Sequence, residues 1–341
     1  MQSTRFITRL NTFLTHYGHT GDLNFQSGGL PFRIPYSLAE RFPKIDNPVI
    51  RQFIPSKSET IAKPYETADP LAEKTYNKCP GLIHEYESRV LIRSTGQCAA
   101  FCRFCFRRNL QTETSGFLTE DAIGEISTYI REHKTIREIL ISGGDPLFGT
   151  DSWFLSLMQS LRAANSRPVI RICTRVPIVL PERITHKLLT ALREYNPVVF
   201  VIHCNHPDEL DCHSRQALAM IRKQGFYIFS QTVLLRTIND NVETLEKLFS
   251  ELYRLGVIPY YLFQGDLAQG TSEFRAAVSK GLALYNDLRK HLSGLELPRY
   301  AVDAPQGLGK VYLPEDCCAQ DKDHWLLQAT DGRTTLYPEE L

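Results

Sequence analysis

The chain has 341 residues, of which 43% are hydrophobic, and its formal net charge at pH 7 is +1. This composition supports a large core in one barrel-sized domain with an extension, whereas the near-neutral charge argues against a broad nucleic-acid-binding surface. No apolar stretch is long enough to span a membrane, and the first residues lack the apolar core of a signal peptide, so we expect a cytoplasmic protein.

The first part of the chain predicts an N-terminal helical wrap rather than an independent domain. Helical patterns at residues 4–17 and 38–42 are separated by proline-rich connections. We predict three regions: this extension at residues 1–80, a barrel domain at residues 81–265, and a C-terminal segment at residues 266–341.

The chain from residue 90 onward alternates between apolar runs and helical patterns. The runs are short and rich in Val, Ile, Leu and Tyr, which is typical of parallel strands covered on both faces. Strands are predicted at residues 90–94, 138–142, 169–174, 198–203, 227–234 and 258–263. Helices are predicted at residues 118–132, 152–164, 181–194, 211–223 and 241–255. Six consecutive βα units indicate an α/β fold, a partial (βα)6 TIM-type barrel with its chemistry at the C-terminal ends of the strands.

Polar or cysteine residues follow each predicted strand. A cysteine-containing loop follows the first strand, and two glycines and an aspartate follow the second. The ends of the third to sixth strands carry Arg175, His203, Gln231 and Asp266. Ordinary loop polarity explains one or two of these positions, but it explains all six less easily. We therefore predict a single active site at this end of the barrel.

The most informative motif is Cys98-Ala-Ala-Phe-Cys102-Arg-Phe-Cys105. Three thiolates at this spacing can hold three irons of a [4Fe–4S] cluster and leave the fourth iron open to a ligand. The spacing is typical of radical S-adenosylmethionine (SAM) enzymes, in which SAM binds the open iron and is cleaved to a 5′-deoxyadenosyl radical. A zinc knuckle is the alternative, but it needs a fourth Cys or His, and residues 86–121 contain none.

A second motif, Ser142-Gly143-Gly144-Asp145-Pro146, lies one strand later. Glycines at a strand end let the backbone approach a ligand closely, and carbonyls with a carboxylate can hold the ammonium group of SAM. Alone the motif is more typical of a plain turn. In combination with the cysteine loop it predicts a SAM-binding site.

Lys310 follows the glycine-bearing loop Asp303-Ala-Pro-Gln-Gly-Leu-Gly. A lysine in such a position can condense with an aldehyde. A solvated surface lysine is the more common case, so only the context of the other motifs favours a catalytic role.

The chain resembles lysine 2,3-aminomutase and its relatives from about residue 30 to the C-terminus. Besides the cysteine and glycine motifs, the matching stretches are Pro80-Gly-Leu-Ile-His84, Cys105-Phe-Arg-Arg108, His203-Cys-Asn-His-Pro207, Gln231-Thr-Val-Leu-Leu-Arg236, Pro259-Tyr-Tyr261 and Asp303-Ala-Pro305 through Lys310. The resemblance implies three cofactors, a [4Fe–4S] cluster, SAM and pyridoxal 5′-phosphate (PLP). It also implies a 1,2-shift of an amino group that begins with hydrogen abstraction by the deoxyadenosyl radical.

The resemblance further implies roles for individual residues. Those for the cofactors are Cys98, Cys102 and Cys105 for the cluster, Gly143, Gly144, Asp145, His203 and Gln231 for SAM, Lys310 for the PLP aldehyde and Arg89 for the PLP phosphate. Arg107 would bind the substrate carboxylate through a bidentate guanidinium. Asp266 and Asp303 would hold a side-chain ammonium group, which indicates lysine as the substrate, although either aspartate can also be a cap or turn residue.

Three features depart from the family pattern. Gln306 and Leu308 interrupt the glycine run before Lys310, which predicts a stiffer loop. Glu85 stands where some relatives carry a base, which weakens the assignment of Arg89 to the phosphate. The chain ends at Leu341 without the cysteine-rich tail that binds zinc and joins subunits in the larger clostridial-type enzymes. The oligomeric state therefore stays open, with a homo-oligomer as one outcome.

We expect an isomerase that converts L-lysine to β-lysine and that receives electrons from a donor such as flavodoxin or ferredoxin. No nucleic-acid or membrane partner is expected. The same chemistry can instead make (R)-β-lysine for the modification of elongation factor P. The missing tail favours this alternative, whereas Asp303 favours free-lysine chemistry, and the product enantiomer would decide. Two further hypotheses are an aminomutase for another amino acid and a zinc-stabilised binding module without catalysis.

Overall fold

The computed structural model describes residues 5–18, 29–109, 116–315, 317–321, 323–329 and 331–339. The strands in these ranges are β1 (Phe6–Ile7), β2 (Ile34–Pro35), β3 (Asn77–Cys79), β4 (Leu82–Tyr86), β5 (Arg89–Arg93), β6 (Glu138–Ser142), β7 (Val169–Thr174), β8 (Val198–His203), β9 (Tyr227–Val233), β10 (Val257–Phe263), β11 (Arg299–Ala304), β12 (Gly309–Tyr312), β13 (Cys317–Asp321), β14 (His324–Gln328) and β15 (Thr334–Pro338).

The α-helices of the same ranges are α1 (Leu10–His16), α2 (Tyr36–Arg41), α3 (Pro48–Arg51), α4 (Glu120–Glu132), α5 (Asp151–Ala164), α6 (Val176–Val179), α7 (His186–Leu192), α8 (Cys212–Lys223), α9 (Val242–Arg254) and α10 (Val278–His291). Short 3-10 helices lie at Lys57–Thr60, Pro146–Phe148, Pro181–Arg183, Arg193–Tyr195, Pro207–Glu209, Ser272–Phe274 and Pro305–Gly307.

The strands β3 to β12 form one sheet in which each strand pairs with its neighbours in chain order. Strands β5 to β11 run parallel, and most of their connections contain a helix. Antiparallel strands complete both edges, with β4 and β3 beside β5 and with β12 beside β11. Parallel strands joined by helices place all their C-terminal ends on one side of the sheet, where a barrel carries its active site.

Side chains along the central strands point alternately to the core under the helices and to the interior of the barrel. In β7 the side chains of Ile170 and Ile172 are fully buried in the core, whereas Arg171 and Cys173, between and after them, line an internal cavity. In β6, Leu140 lines the same cavity between two buried isoleucines. Successive side chains of a strand point to opposite faces, so one set packs under the helices and the other builds the site.

The N-terminal segment is attached to the barrel by buried ion pairs. The Glu59 carboxylate pairs with Arg103 and Arg108, which lie in and directly after the cysteine loop. Glu66 pairs with Arg275, which follows the 3-10 helix Ser272–Phe274. All five side chains are at most 6% exposed. Charges buried this deeply are held by their partners, so the segment is fixed against the loops that carry the predicted site.

The predicted α/β fold and partial TIM-type barrel are confirmed, and the six predicted strands agree with β5 to β10 to within one residue at each end. A seventh parallel strand, β11, and the helix α10 before it were not predicted. The helix predicted at residues 181–194 is three short helices instead. In the extension, α1 starts only at Leu10 because Phe6 and Ile7 pair with β2, and residue 4 lies outside the described ranges.

The sheet continues across both predicted domain boundaries. Strand β3 ends within residues 1–80, and β11 and β12 lie within residues 266–341. The three-region division stays a prediction. Within the described ranges, no helix has the length and apolar character needed to cross a lipid bilayer.

Candidate active site

A cavity of about 380 Å³ opens at the C-terminal ends of the parallel strands. The predicted site residues all line it: Cys98, Cys102, Cys105, Arg107, Gly143, Gly144, Asp145, His203, Gln231, Asp266, Asp303, Lys310 and Arg89. They come from loops and strands spread over more than 200 residues of sequence. The structure therefore brings the three thiols and the Lys310 amine to one space, which is the arrangement that a shared ligand requires.

The cysteine loop follows β5 and is fixed by backbone hydrogen bonds to the N-terminal segment. The Phe101 N–H donates to the Arg33 carbonyl at 3.1 Å, and the Arg103 N–H donates to the Gln52 carbonyl at 2.9 Å. The three thiols interact electrostatically with one another: burial, and then neighbouring thiols, raises the pKa of Cys98 above its usual range and the pKa of Cys105 to about 11.

Buried thiols with raised pKa values ionise when a cation stabilises the thiolates, and an iron–sulfur cluster provides such cations. Three soft sulfur donors on one cavity wall fit a [4Fe–4S] cluster. Among the described residues, no three His, Cys, Asp or Glu side chains converge as ligands of a single metal ion. A cluster binds each of its three cysteines through a different iron, so it does not require such convergence.

The two glycines after β6 allow a close approach between two segments of the protein. A Cβ on Gly143 would lie 2.6 Å from the Thr95 carbonyl oxygen, and one on Gly144 would collide with the backbone of Gln97. The Gly144 N–H donates to the Thr95 carbonyl at 2.6 Å. The glycines thus let the strand end pack on the segment that leads into the cysteine loop, whereas the sequence suggested a close approach to a ligand.

The Asp145 carboxylate is engaged within the protein. It accepts hydrogen bonds from the Thr174 hydroxyl at 2.7 Å, from the Arg175 N–H at 2.7 Å and from the Leu147 N–H at 3.0 Å. Burial raises its pKa to about 6 despite these donors. Asp145 therefore fixes the end of β7 relative to the glycine motif, and its predicted contact with SAM stays a prediction.

His203 and Gln231 lie on neighbouring strands on the same wall of the cavity. Burial, and then the charge of Arg175, lowers the pKa of His203 to about 3, so the imidazole is neutral. Its Nε2 lies 3.0 Å from the Asn205 side-chain oxygen, which makes that nitrogen the donor. A neutral histidine and an amide can bind the uncharged parts of a nucleoside without introducing charge.

Lys310 lies on the edge strand β12 and points into the cavity. Its backbone N–H donates to the Tyr86 hydroxyl at 2.9 Å, and its ammonium group forms an ion pair with Asp303. The ammonium also lies 4.1 Å from the centre of the Phe263 ring and 4.9 Å from that of Tyr261. An amine enclosed by aromatic walls fits the aldehyde and the flat ring of PLP.

Asp266 and Asp303 interact across the same region. Burial, and then the Asp303 carboxylate, raises the pKa of Asp266 to about 7, while Lys310 acts in the opposite direction. A carboxylate that disfavours the charge of a buried neighbouring carboxylate makes the pair a site for a cation. The Lys310 ammonium supplies part of that positive charge.

Arg107 is held by a residue that the sequence did not indicate. Its Nε and Nη2 donate to one oxygen of Glu73 at 2.8 and 2.6 Å, and its Nη1 donates to the Ser142 hydroxyl at 3.2 Å. The other Glu73 oxygen is buried without a hydrogen-bond partner. Glu73 lies 34 residues before Arg107, and no local pattern in the sequence connects the two.

The predicted phosphate region combines one guanidinium with a carboxyl group. Arg89 lies 4.0 Å from the centre of the Tyr86 ring, and Glu85 lines the cavity beside it. Burial, and then Asp303, raises the pKa of Glu85 to about 7. The raised pKa lessens the negative charge that Glu85 places beside Arg89, and the role of Arg89 at the phosphate stays a prediction.

Two family models match the chain, "Radical SAM superfamily" over residues 92–249 and "Lysine-2,3-aminomutase" over residues 285–340. The L-lysine 2,3-aminomutase of Fusobacterium nucleatum is 38% identical over 86% of this chain and 69% of its own length. The glutamate 2,3-aminomutase of Clostridioides difficile is 32% identical over 90% of this chain and 73% of its own length. A solved structure, native anSMEcpe with bound AdoMet, aligns with 60% of this chain and 59% of its own at 14% identity and a TM-score of 0.47.

These matches cover both halves of the cavity. The first family model spans the glycine motif and most of the cysteine-bearing barrel, and the second spans Asp303 and Lys310. Radical SAM enzymes use a [4Fe–4S] cluster and SAM, and lysine 2,3-aminomutases add PLP, as the donor sets of the cavity predict. The chain belongs to the lysine 2,3-aminomutase family of radical SAM isomerases.

Proposed function

We propose that this aminomutase acts on L-lysine and produces β-lysine. The observation that carries the proposal is the pair Asp266 and Asp303, which line the same cavity as Lys310 and Arg107. A lysine molecule has a carboxylate at one end and an ammonium at the other, and the cavity offers a guanidinium and two carboxylates. Glutamate carries an anionic side chain, which the two carboxylates would repel.

The cysteines Cys98, Cys102 and Cys105 would hold the cluster, and Lys310 would hold the PLP aldehyde. When bound, SAM at the cluster would provide the means to remove a hydrogen atom from the β-carbon, and PLP would provide an aldehyde for the migrating amine and a ring that stabilises an unpaired electron. All further selectivity in the proposal comes from the side chains of this chain.

Arg107 would bind the substrate carboxylate, and its orientation depends on Glu73 and Ser142. Because two of its nitrogens face the buried Glu73 carboxylate, the guanidinium is already fixed before a substrate enters. A donor with a fixed position loses little conformational entropy on binding. This fixes one end of the substrate relative to the cysteine loop, which lies two residues before Arg107.

Asp303 is also paired with the Lys310 ammonium. Lys310 would hold the PLP aldehyde, and Asp303 together with Asp266 would hold the side-chain ammonium of the substrate. The aromatic rings of Tyr261 and Phe263 lie beside the Lys310 ammonium and would shield a reactive radical from side reactions on that wall of the cavity.

The proposal is tested by an anaerobic assay of protein reconstituted with iron, sulfide, SAM and PLP, reduced by dithionite. We expect β-lysine from L-lysine and no β-glutamate from L-glutamate under the same conditions. Turnover of glutamate without turnover of lysine would contradict the proposal. Chiral analysis of the product decides between (S)-β-lysine for free metabolism and (R)-β-lysine for the modification of elongation factor P, and replacement of dithionite by reduced flavodoxin or ferredoxin identifies the donor.

A further inference from the structure

Arg175 contacts a cluster cysteine and has no role in the steps described above. It follows β7 directly, is 7% exposed, and lines the cavity on the side of the cysteine loop. Its Nη1 donates a hydrogen bond to the Cys102 sulfur at 2.8 Å. The contact is therefore one between a permanently charged donor and a sulfur that the cluster would use as a ligand.

The position of this guanidinium is fixed by buried groups on two other segments. Its Nη2 donates to the Gln52 side-chain oxygen at 2.6 Å and to the Glu209 carboxylate at 3.0 Å. Gln52 and Glu209 are both fully buried, and Gln52 also donates to Glu209 at 2.7 Å. Moving Arg175 away would leave a buried carboxylate without its cation, which is strongly unfavourable.

Aromatic rings restrict the guanidinium further. Its central carbon lies 4.9 Å from the centre of the Phe53 ring and 5.5 Å from that of Phe104. Phe104 belongs to the cysteine loop itself, so the guanidinium also packs against the loop that carries Cys102.

Reduction of a [4Fe–4S] cluster adds one electron, part of which resides on the sulfur ligands. A hydrogen bond and a positive charge at a ligating sulfur stabilise the electron-rich reduced form and raise the reduction potential. We propose that Arg175 is a positioning residue that raises the reduction potential of the cluster through Cys102. This inference rests on the proposed cluster ligands and is independent of the proposed substrate.

The test is a redox titration of cluster-loaded protein without SAM or amino acid, followed by EPR of the reduced cluster. Dithionite donates one electron to each cluster, and no bond is formed or broken. We expect R175M to lower the equilibrium constant for reduction about tenfold, which is a midpoint about 59 mV more negative for one electron. R175K retains a charge with a shorter reach and is expected to fall between R175M and the unchanged protein.

Arg33 provides a matched control near the same loop. It donates to the Gln97 side chain at 2.8 Å and to the Cys98 carbonyl at 3.1 Å rather than to the Cys102 sulfur. Arg33 thus places a positive charge near Cys98 but donates no hydrogen bond to the Cys102 sulfur, and R33M is expected to lower the midpoint by less than R175M does. E209Q removes the negative charge behind Arg175 and is expected to shift the midpoint in the opposite direction, to less negative values.

Iron and sulfide content are measured on each variant, so that loss of the cluster is separated from a change in its potential. A fully loaded R175M with an unchanged midpoint overturns the proposal, as does an R33M shift equal to that of R175M. If R175M retains no cluster, R175K and E209Q decide, and unchanged midpoints in both overturn it. Absence of β-lysine production leaves all these readouts intact, so the substrate proposal can fail separately.

Discussion

The Asp266 carboxyl group has a pKa that its surroundings raise to about 7, first by burial and then by the neighbouring Asp303. A raised pKa in a carboxylic acid means that the group becomes charged only above that pH. The side-chain ammonium of free lysine, with a pKa near 10, stays charged throughout this range. The two groups thus carry opposite charges only from about neutral pH upward, and for the proposed substrate lysine this links binding to pH.

We expect kcat/KM for lysine to rise as the pH increases through about 7, because Asp266 of the free enzyme ionises there. Asp266→Asn should remove this rise and increase KM about ten- to hundredfold, the range of one lost hydrogen bond to a charged group. Rate profiles between pH 5.5 and 9 measure both effects. Glu85→Gln is the control, since the pKa of Glu85 is also about 7; a pH rise that persists in Asp266→Asn but disappears in Glu85→Gln would assign the titration to Glu85.

Sequence patterns predict those site residues whose type and spacing are typical of a particular chemistry. Three closely spaced cysteines and a lysine after a glycine-bearing loop are recognisable without a structure, and both line the cavity. Glu73 has no such pattern, and Arg175 was indicated only by its place at a strand end, because their partners Arg107 and Cys102 lie 34 and 73 residues away. The residues that orient the site thus come from long-range packing, which local patterns do not encode.

At the scale of elements, the glycine motif after β6 determines how closely the C-terminal ends of β5 and β6 approach each other.

The central strands were predictable because continuous apolar runs have few alternatives in an α/β chain. Strand β11 was not predictable, although Tyr300, Ala301 and Val302 at its centre are buried. Its two charged residues and its short connection to β12 give this stretch of sequence the pattern of a loop.

We expect Gly144→Ala to destabilise the protein by about 1–3 kcal/mol, the usual cost of overpacking, and to lower the iron retained after reconstitution. The added Cβ would collide with the Gln97 backbone and displace the cysteine loop. Urea unfolding and iron analysis measure the two effects. Gly124→Ala is the matched control, because Gly124 lies within α4 with open space around it and should gain up to about 1 kcal/mol. Normal stability and iron content in Gly144→Ala would refute the packing explanation.

At the scale of the whole molecule, the N-terminal segment and the barrel form a single body. Gln52, Glu59 and Glu66 each place a buried polar side chain against an arginine of the barrel or its loops. The sequence predicted a wrap of helices around the barrel. It did not show that the wrap supplies the counter-charges of the site, because carboxylates in a polar extension resemble ordinary surface residues.

We expect Glu59→Gln to lower the free energy of unfolding by about 3–5 kcal/mol, because Arg103 and Arg108 would remain buried without their carboxylate. The urea midpoint should fall together with cluster retention, since both arginines adjoin the cysteine loop. Asp287→Asn removes an exposed ion pair with Lys290 and should leave the midpoint unchanged. Equal midpoints for the two variants would show that the extension is not energetically coupled to the barrel.

The edge strand β12 has one further consequence. It is joined to the opposite edge of the sheet by the Tyr86 hydroxyl, which accepts from the Lys310 N–H. The 3-10 helix Pro305–Gly307 before it is joined to the same edge by the Tyr76 hydroxyl, which donates to the Gly307 carbonyl. These contacts connect segments more than 200 residues apart. On the ribosome, the three cysteines emerge long before Lys310. The cavity therefore has all its walls only when translation is nearly finished.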